Sequence, residues 1–181
     1  MTSIETLAAI VTAEAGTEPV RTALVLGSGL GSLGDRVEGA RIGYDRLPGF
    51  PTAGVSGHRA ELAIGALWGR RVAVLSGRAH YYETGDAAAM RRPLELLKAL
   101  GVRELYLTNA AGSFRGDIPP GDVMAIEDHI NYSGLNPLIG EPSEARFVNM
   151  TNAYDATLRA ALTAAADREG IALKSGVYAW Y

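Results

Sequence analysis

The amino-acid sequence predicts an α/β fold, in which the strands of a sheet alternate with helices and loops. Two observations lead to this prediction. Short apolar runs rich in strand-forming residues recur along the chain, and segments with helical spacing or long loops separate them. The first of these runs leads directly into a glycine-rich turn, which is the usual beginning of a ligand site in α/β proteins.

The individual elements are predicted from apolar spacing and end signals. Thr2 and Glu5 have the spacing of a capping box, so the first helix begins there and ends near Gly16. A helix is predicted at residues 86–100, where Pro93 either kinks it or marks the start of its regular part. Strands are predicted at residues 22–26, 61–67, 71–75, 104–108, 123–126 and 171–181, and a last helix at residues 153–169.

Composition limits the classes of function. The 181 residues predict one domain, 1–181, that can bury its own core. A net charge of −3 gives no general attraction to nucleic acid or membranes, so phosphate chemistry needs a local site. The absence of cysteine excludes disulfides and cysteine nucleophiles and fits a cytoplasmic protein. No signal peptide is evident, and no apolar run reaches the roughly 20 residues of a membrane helix.

The glycine-rich turn GSGLG at residues 27–31 is the first candidate binding segment. Its backbone N–H groups and the Ser28 hydroxyl can approach an anion. From this turn alone, anion binding and a simple tight connection are equally supported. A dinucleotide site is a third alternative, because the glycines have G-x-G-x-x-G spacing and Asp45 lies near the distance of the expected acidic residue. Asp45 is predicted in a loop, which weighs against that alternative.

The segment GRAHYYE at residues 77–83 is the second candidate and follows a predicted strand. Extended geometry would place Arg78, His80 and Tyr82 on one side. A guanidinium, an imidazole and a phenol pointing together suit an oxyanion and a sugar better than a core. The alternative is a solvated strand end, but the position beside a glycine-rich turn favours function.

Four further segments carry less information. His58 lies in the glycine-rich loop GHR and gains weight only beside the other segments. The segment TNAAGS at residues 108–113 permits close approach of a ligand but is also typical of a strand exit. Glu127, Asp128 and His129 are adjacent, so their side chains diverge; structural hydrogen bonding is predicted there and no metal. The long loop at residues 131–152 is predicted to be functional or an interaction surface.

Six segments in order give the chain a family resemblance: LGSGLG, SGHRAEL, GRAHYYETG, LTNAAGS, PGDVMAIEDHINYSGLNPL and RFVNMTNAYD. The set resembles the trimeric, low-molecular-mass purine nucleoside phosphorylases. The resemblance implies a central mixed β-sheet flanked by helices and a homotrimer. It implies that a purine nucleoside reacts with phosphate to give the purine base and ribose 1-phosphate. It implies no cofactor, no nucleic-acid partner and no membrane partner.

The same resemblance assigns roles to seven residues of this chain. It implies that phosphate is bound by Ser28, His58, Arg78, His80 and the backbone N–H of Ala110. It makes His80 and Tyr82 the catalytic side chains, and it places the ribose against Tyr82 and against Phe147 of a neighbouring subunit. The bound phosphate would stabilise positive charge on the ribose and then attack it, while the protein positions charge in advance.

The resemblance ends at the last residues. Past Tyr178 the family continues into Gly-Pro-x-Tyr/Phe-Glu-Thr and, further on, a glutamate and an asparagine that bind the purine, whereas this chain reads Ala179-Trp180-Tyr181. The expectation is therefore a fold whose C-terminal part is missing, which binds phosphate without efficient turnover. Two alternatives stay open: a non-catalytic fragment or interaction remnant that keeps the trimer surface, and a dinucleotide-dependent oxidoreductase.

Overall fold

A five-stranded mixed sheet organises the first 110 residues. The computed structural model describes residues 2–51 and 60–181. The strands are β1 Thr22–Val25, β2 Glu38–Gly43, β3 Glu61–Leu67, β4 Arg70–Leu75 and β5 Glu104–Leu107, in the order β2-β3-β4-β1-β5. β1 runs parallel to β4 and β5, whereas β3 runs antiparallel to β2 and β4. The predicted α/β fold with a central mixed sheet is confirmed.

Among the described residues of this unit, the helices are α1 Ile4–Ala15 before β1, α2 Gly31–Gly34 between β1 and β2, and α3 Tyr81–Thr84 and α4 Arg91–Ala99 between β4 and β5. The cap of α1 is Ser3, whose hydroxyl accepts a hydrogen bond from the Thr6 amide at 3.2 Å, so the predicted start at Thr2 was one residue early. Pro93 lies in the first turn of α4, where no intrahelical partner awaits its missing N–H. The proline therefore marks the start of the regular helix and does not kink it.

The core lies on both faces of the sheet because the central strands alternate between two apolar clusters. Ala73 and Leu75 of β4 pack with α1 and α4 on one side, while Val72 and Val74 belong to the second cluster. Strands buried on both faces are apolar at nearly every position, which is why β3 and β4 could be predicted with their correct bounds to within one residue.

Residues 111–181 form a second compact unit. It contains a parallel pair of strands, β6 Met124–Asn131 and β7 Lys174–Trp180, which are connected through helix α5 Ala156–Arg168. β6 is longer than the predicted strand at residues 123–126 and has an irregularity between Ile126 and Asp128. The prediction of one domain over residues 1–181 stays a prediction. Within the described residues, no helix has the length and apolar character needed to cross a bilayer.

Candidate functional site

The carboxyl ends of three neighbouring parallel strands, β4, β1 and β5, lie side by side at one end of the five-stranded sheet, and this carboxyl-terminal end is called the carboxyl edge. Val25 of β1 is paired in register with Leu75 of β4 on one side and with Leu107 of β5 on the other. The residues that follow these three positions therefore leave the sheet side by side. Ligands of open α/β sheets bind at such edges, and most of the predicted site residues follow these strands.

The glycine-rich turn follows β1 at this edge. The amide of Leu30 donates to the carbonyl of Gly27 at 3.3 Å, and Gly29 has a φ of +86°, as a type II turn requires of its third residue. Gly27 is buried and Ser28 is exposed. The turn thus places the serine on the surface directly above the strand end, as the anion-binding hypothesis needs.

The sheet order excludes the dinucleotide alternative. β2 lies at the far edge of the sheet and runs antiparallel to β3, so β4 and β5 are the neighbours of β1. Asp45 follows β2 in the 3₁₀ turn Tyr44–Arg46, and two strands separate β2 from β1. A dinucleotide fold instead has its second strand beside the first and parallel to it, with the acidic residue at its end.

Arg78 follows β4 and is held at two points. Its Nη1 donates to the backbone carbonyl of Thr108, the first residue after β5. One residue earlier, the carbonyl of Gly77 accepts a hydrogen bond from the Tyr44 hydroxyl at 2.8 Å. Tyr44 is only 4% exposed, and burial, with a smaller contribution from the carboxylate of Glu61, raises the pKa of its phenol well above the usual value. A neutral, fixed phenol therefore anchors the backbone next to the arginine.

His80 and Tyr82 lie together, but not by the predicted geometry. The extended backbone ends at His80, and Tyr81–Thr84 is the helical turn α3, so the predicted extended alternation of Arg78, His80 and Tyr82 was wrong. The rings of His80 and Tyr82 stack at 4.9 Å between centroids with 14° between their planes. The amide of His80 donates to Glu83 Oε1 at 3.1 Å, which fixes the start of the turn. Tyr82 remains 74% exposed and presents its ring to solvent.

Thr108 links the three strand ends, a role that sequence reasoning missed. Its hydroxyl accepts a hydrogen bond from the amide of Gly27 at 2.7 Å, and its carbonyl accepts from Arg78. Two residues on, Ala110 is exposed just past the same strand. The sequence does show a threonine between an apolar strand and small residues. Its hydrogen-bond partners Arg78 and Gly27, however, lie 30 and 81 positions away in the chain.

Phe147 lies in the second unit. It follows the 3₁₀ turn Glu144–Arg146 in the long loop, is 71% exposed, and has the guanidinium carbon of Arg146 at 4.8 Å from its ring centroid. His58, the remaining predicted phosphate residue, lies outside the described residues.

The acidic and histidine side chains of β6 have structural partners. His129 Nδ1 and the Tyr154 hydroxyl are 3.1 Å apart, and Glu127 lies 3.9 Å from Arg159. Burial is the main cause that raises the pKa of Tyr154, and the charge of Asp128 adds to it. Among residues 2–51 and 60–181, no group of three or more potential metal ligands is found.

The arrangement in the first unit defines a class of protein: an α/β protein with hydrogen-bond donors that could hold an anion at the ends of three parallel strands, and an aromatic surface beside them. Its arginine supplies a planar, charged donor, and its turn and strand exits supply neutral donors. The chain belongs to the Phosphorylase superfamily, whose family model matches residues 21–181.

Within that superfamily the similar proteins are purine nucleoside phosphorylases. Purine nucleoside phosphorylase 1 of Geobacillus stearothermophilus is 42% identical over 181 residues, which cover 98% of this chain and 66% of the relative. The purine nucleoside phosphorylase of Mus musculus is 39% identical, covering 77% of this chain and 50% of the relative. This chain therefore spans between half and two thirds of the length of these relatives.

Solved structures show the same relationship. Isoform 2 of purine nucleoside phosphorylase from Schistosoma mansoni, in complex with cytosine and ribose-1-phosphate, superposes with a TM-score of 0.87 at 32% identity. The match covers 98% of this chain and 65% of that one. The resemblance to purine nucleoside phosphorylases and the fold that it implied are confirmed.

Proposed function

We propose that this chain carries the phosphate- and ribose-binding part of a purine nucleoside phosphorylase. The reaction is phosphorolysis, in which a purine nucleoside and phosphate give the purine base and ribose 1-phosphate. One observation carries the proposal: the Ser28 turn, Arg78 and the segment leading to Ala110 leave the sheet at one edge. Similar proteins that bear this name support the reaction class. Inorganic phosphate is the second substrate, and no cofactor is needed.

The chemistry follows from the charges at this edge. Arg78 offsets part of the negative charge of the phosphate, while the Ser28 hydroxyl and the Ala110 amide supply neutral donors. When the glycosidic C–N bond breaks, its electron pair goes to the purine and the ribose becomes positively charged. The proton that the hydrogen phosphate dianion loses on forming the ester ends on the purine. The phosphate dianion stabilises this charge and forms the new C–O bond at the anomeric carbon. Tyr82, stacked on His80, offers an aromatic surface to the sugar.

Phosphate affinity tests the proposed site through a matched pair of arginines. Arg78→Ala is expected to weaken phosphate binding at least tenfold, because a charge-assisted hydrogen bond contributes about 1.5–3 kcal/mol. Arg103→Ala removes the same charge from an exposed position just before β5, at the opposite edge of the sheet, and should change the affinity less than twofold. Titration calorimetry measures both. Equal losses in the two variants, or no phosphate binding by the unmodified chain, would contradict the proposal.

Turnover is tested separately by following the phosphate-dependent release of hypoxanthine from inosine. This chain covers 66% of the Geobacillus relative, and we expect it to bind phosphate with less efficient turnover than the whole relative. Turnover close to that of a full-length relative would overturn this expectation. A chain that binds no phosphate but co-assembles with a full-length relative would be an interaction remnant instead.

Phe147 belongs to the same proposal as a residue of the neighbouring subunit's ribose site in a homotrimer. Its 71% exposure within its own chain supports this role, since an apolar ring of this size is more often covered. Sedimentation equilibrium should give three times the chain mass. Phe147→Ala should weaken ribose 1-phosphate binding while phosphate affinity is kept; a monomer with unchanged ribose 1-phosphate affinity would contradict the role.

A cytoplasmic location is also proposed, and cell fractionation tests it.

A further inference from the structure

Thr108 lies where the carboxyl ends of β1, β4 and β5 come together. It is half-buried and directly follows β5, and its amide donates to the carbonyl of Val25 at 3.1 Å, continuing the ladder between β1 and β5. Its hydroxyl lies 3.4 Å from the same carbonyl. The backbone of Thr108 therefore fixes this residue to the end of β1 independently of its side chain.

The hydroxyl of Thr108 holds the start of the glycine-rich turn. It accepts a hydrogen bond from the amide of Gly27 at 2.7 Å, and its own proton can go to Val25 O, because a hydroxyl donates and accepts at once. Gly27 is buried, and a Cβ placed on it would lie 2.6 Å from the Thr108 carbonyl oxygen. The turn that contains Ser28 is thus hydrogen-bonded to Thr108 and packed directly against it.

The carbonyl of Thr108 holds the arginine. Nη1 of Arg78 donates to it, so the guanidinium is positioned by the same residue that seats the Ser28 turn. The chain then continues through Asn109 to Ala110, whose amide is the third proposed phosphate donor. The Ser28 turn and Arg78 are therefore both hydrogen-bonded to Thr108, and Ala110 follows it two residues later.

We infer that Thr108 is a positioning residue of the phosphate site, which sets the relative placement of the Ser28 turn and Arg78 before the anion arrives. This inference rests on the proposed function. Donors that are fixed in advance bind an anion without the cost of reorganisation. Thr108→Val keeps the shape of the side chain but leaves the buried Gly27 amide without its partner, so the turn must move to satisfy it.

The test compares Thr108→Val with Thr108→Ser and a matched control. Thr22→Val removes another hydroxyl bridge between β1 and β5, from Thr22 Oγ1 to Glu104 Oε2 at 2.9 Å, at the opposite end of the same strand pair. Calorimetric titration with inorganic phosphate should show affinity at least fivefold weaker for Thr108→Val. Thr108→Ser and Thr22→Val should stay within twofold of the unmodified chain, although Thr22→Val also loses stability.

Each result decides the inference. Unchanged phosphate affinity in Thr108→Val, or an equal loss in Thr22→Val, would overturn the positioning role while leaving the proposed function in place. A chain whose unmodified form binds no phosphate would overturn both. If Thr108→Val does not fold, Thr108→Cys gives the answer, because a thiol of similar size to the serine hydroxyl is a poorer acceptor. Its affinity should fall below that of Thr108→Ser, and equal affinities would contradict the inference.

Discussion

At the scale of single residues, the candidate site depends on hydrogen bonds from residues outside the proposed anion-binding set. Tyr44 lies in a turn after the edge strand β2, yet its hydroxyl holds the Gly77 carbonyl beside Arg78. Ser28, Arg78 and His80 could be predicted at strand exits because apolar runs lead into their segments, and their binding roles stay predictions. Tyr44 and Thr108 could not, since their importance lies in hydrogen bonds to distant residues that only the fold brings near.

The buried phenol of Tyr44 makes the free energy of unfolding fall at alkaline pH. Its pKa is raised in the folded state, so both states are protonated below the ordinary value near 10, and only the unfolded state ionises just above it. The unfolded state then binds fewer protons, and stability falls by up to about 1.4 kcal/mol per pH unit. Urea unfolding at pH 8 and pH 11 should show that Tyr44→Phe removes this part of the loss.

The same variant should cost about 1 kcal/mol at pH 8, because the Gly77 carbonyl loses its hydrogen bond. Tyr132→Phe is the control, since the Tyr132 side chain is 82% exposed and its removal should leave the pH dependence as it is. A Tyr44→Phe chain that loses as much stability between the two pH values as the unmodified chain would contradict this account.

At the scale of elements, the sequence predicts the central strands well and the outermost strand β2 poorly. β3 and β4 are mostly apolar and could be predicted, whereas β2 was missed because EGARIG contains two glycines and a single buried apolar residue. Its strand character comes from pairing with β3, where Gly39 lies opposite Gly65. Likewise, the ends of α4 and β6 depend on tertiary partners and differ from the predicted bounds by several residues.

The Gly39–Gly65 pair gives a test at this scale. A Cβ added at Gly65 would overlap the carbonyl oxygen of Glu38 and lie 2.7 Å from Gly39 Cα, and neither backbone group can move without parting β2 from β3. Gly65→Ala should therefore destabilise the chain by about 1–3 kcal/mol in urea unfolding. Gly116→Ala is the control, because a Cβ there meets nothing within 4 Å. Two equally stable variants would contradict the close pairing.

At the scale of the whole chain, the predicted roles are divided between two compact units. The phosphate and ribose residues Ser28, Arg78, His80, Tyr82 and Ala110 belong to the first, and Phe147 belongs to the second. The similar proteins are longer, and this chain covers 66% of the Geobacillus relative. Phosphate binding by the first unit can be tested by titration with inorganic phosphate alone, without a purine substrate.

The most direct test of the central claim is to locate a bound anion. Crystals of the chain soaked in arsenate, a tetrahedral analogue of phosphate, give an anomalous signal that marks the anion without prior assumptions. We predict one dominant peak at the carboxyl ends of β1, β4 and β5, within hydrogen-bond distance of the Ser28 hydroxyl, the Arg78 guanidinium and the Ala110 amide. A dominant peak elsewhere, with this edge empty at saturating arsenate, would contradict the account.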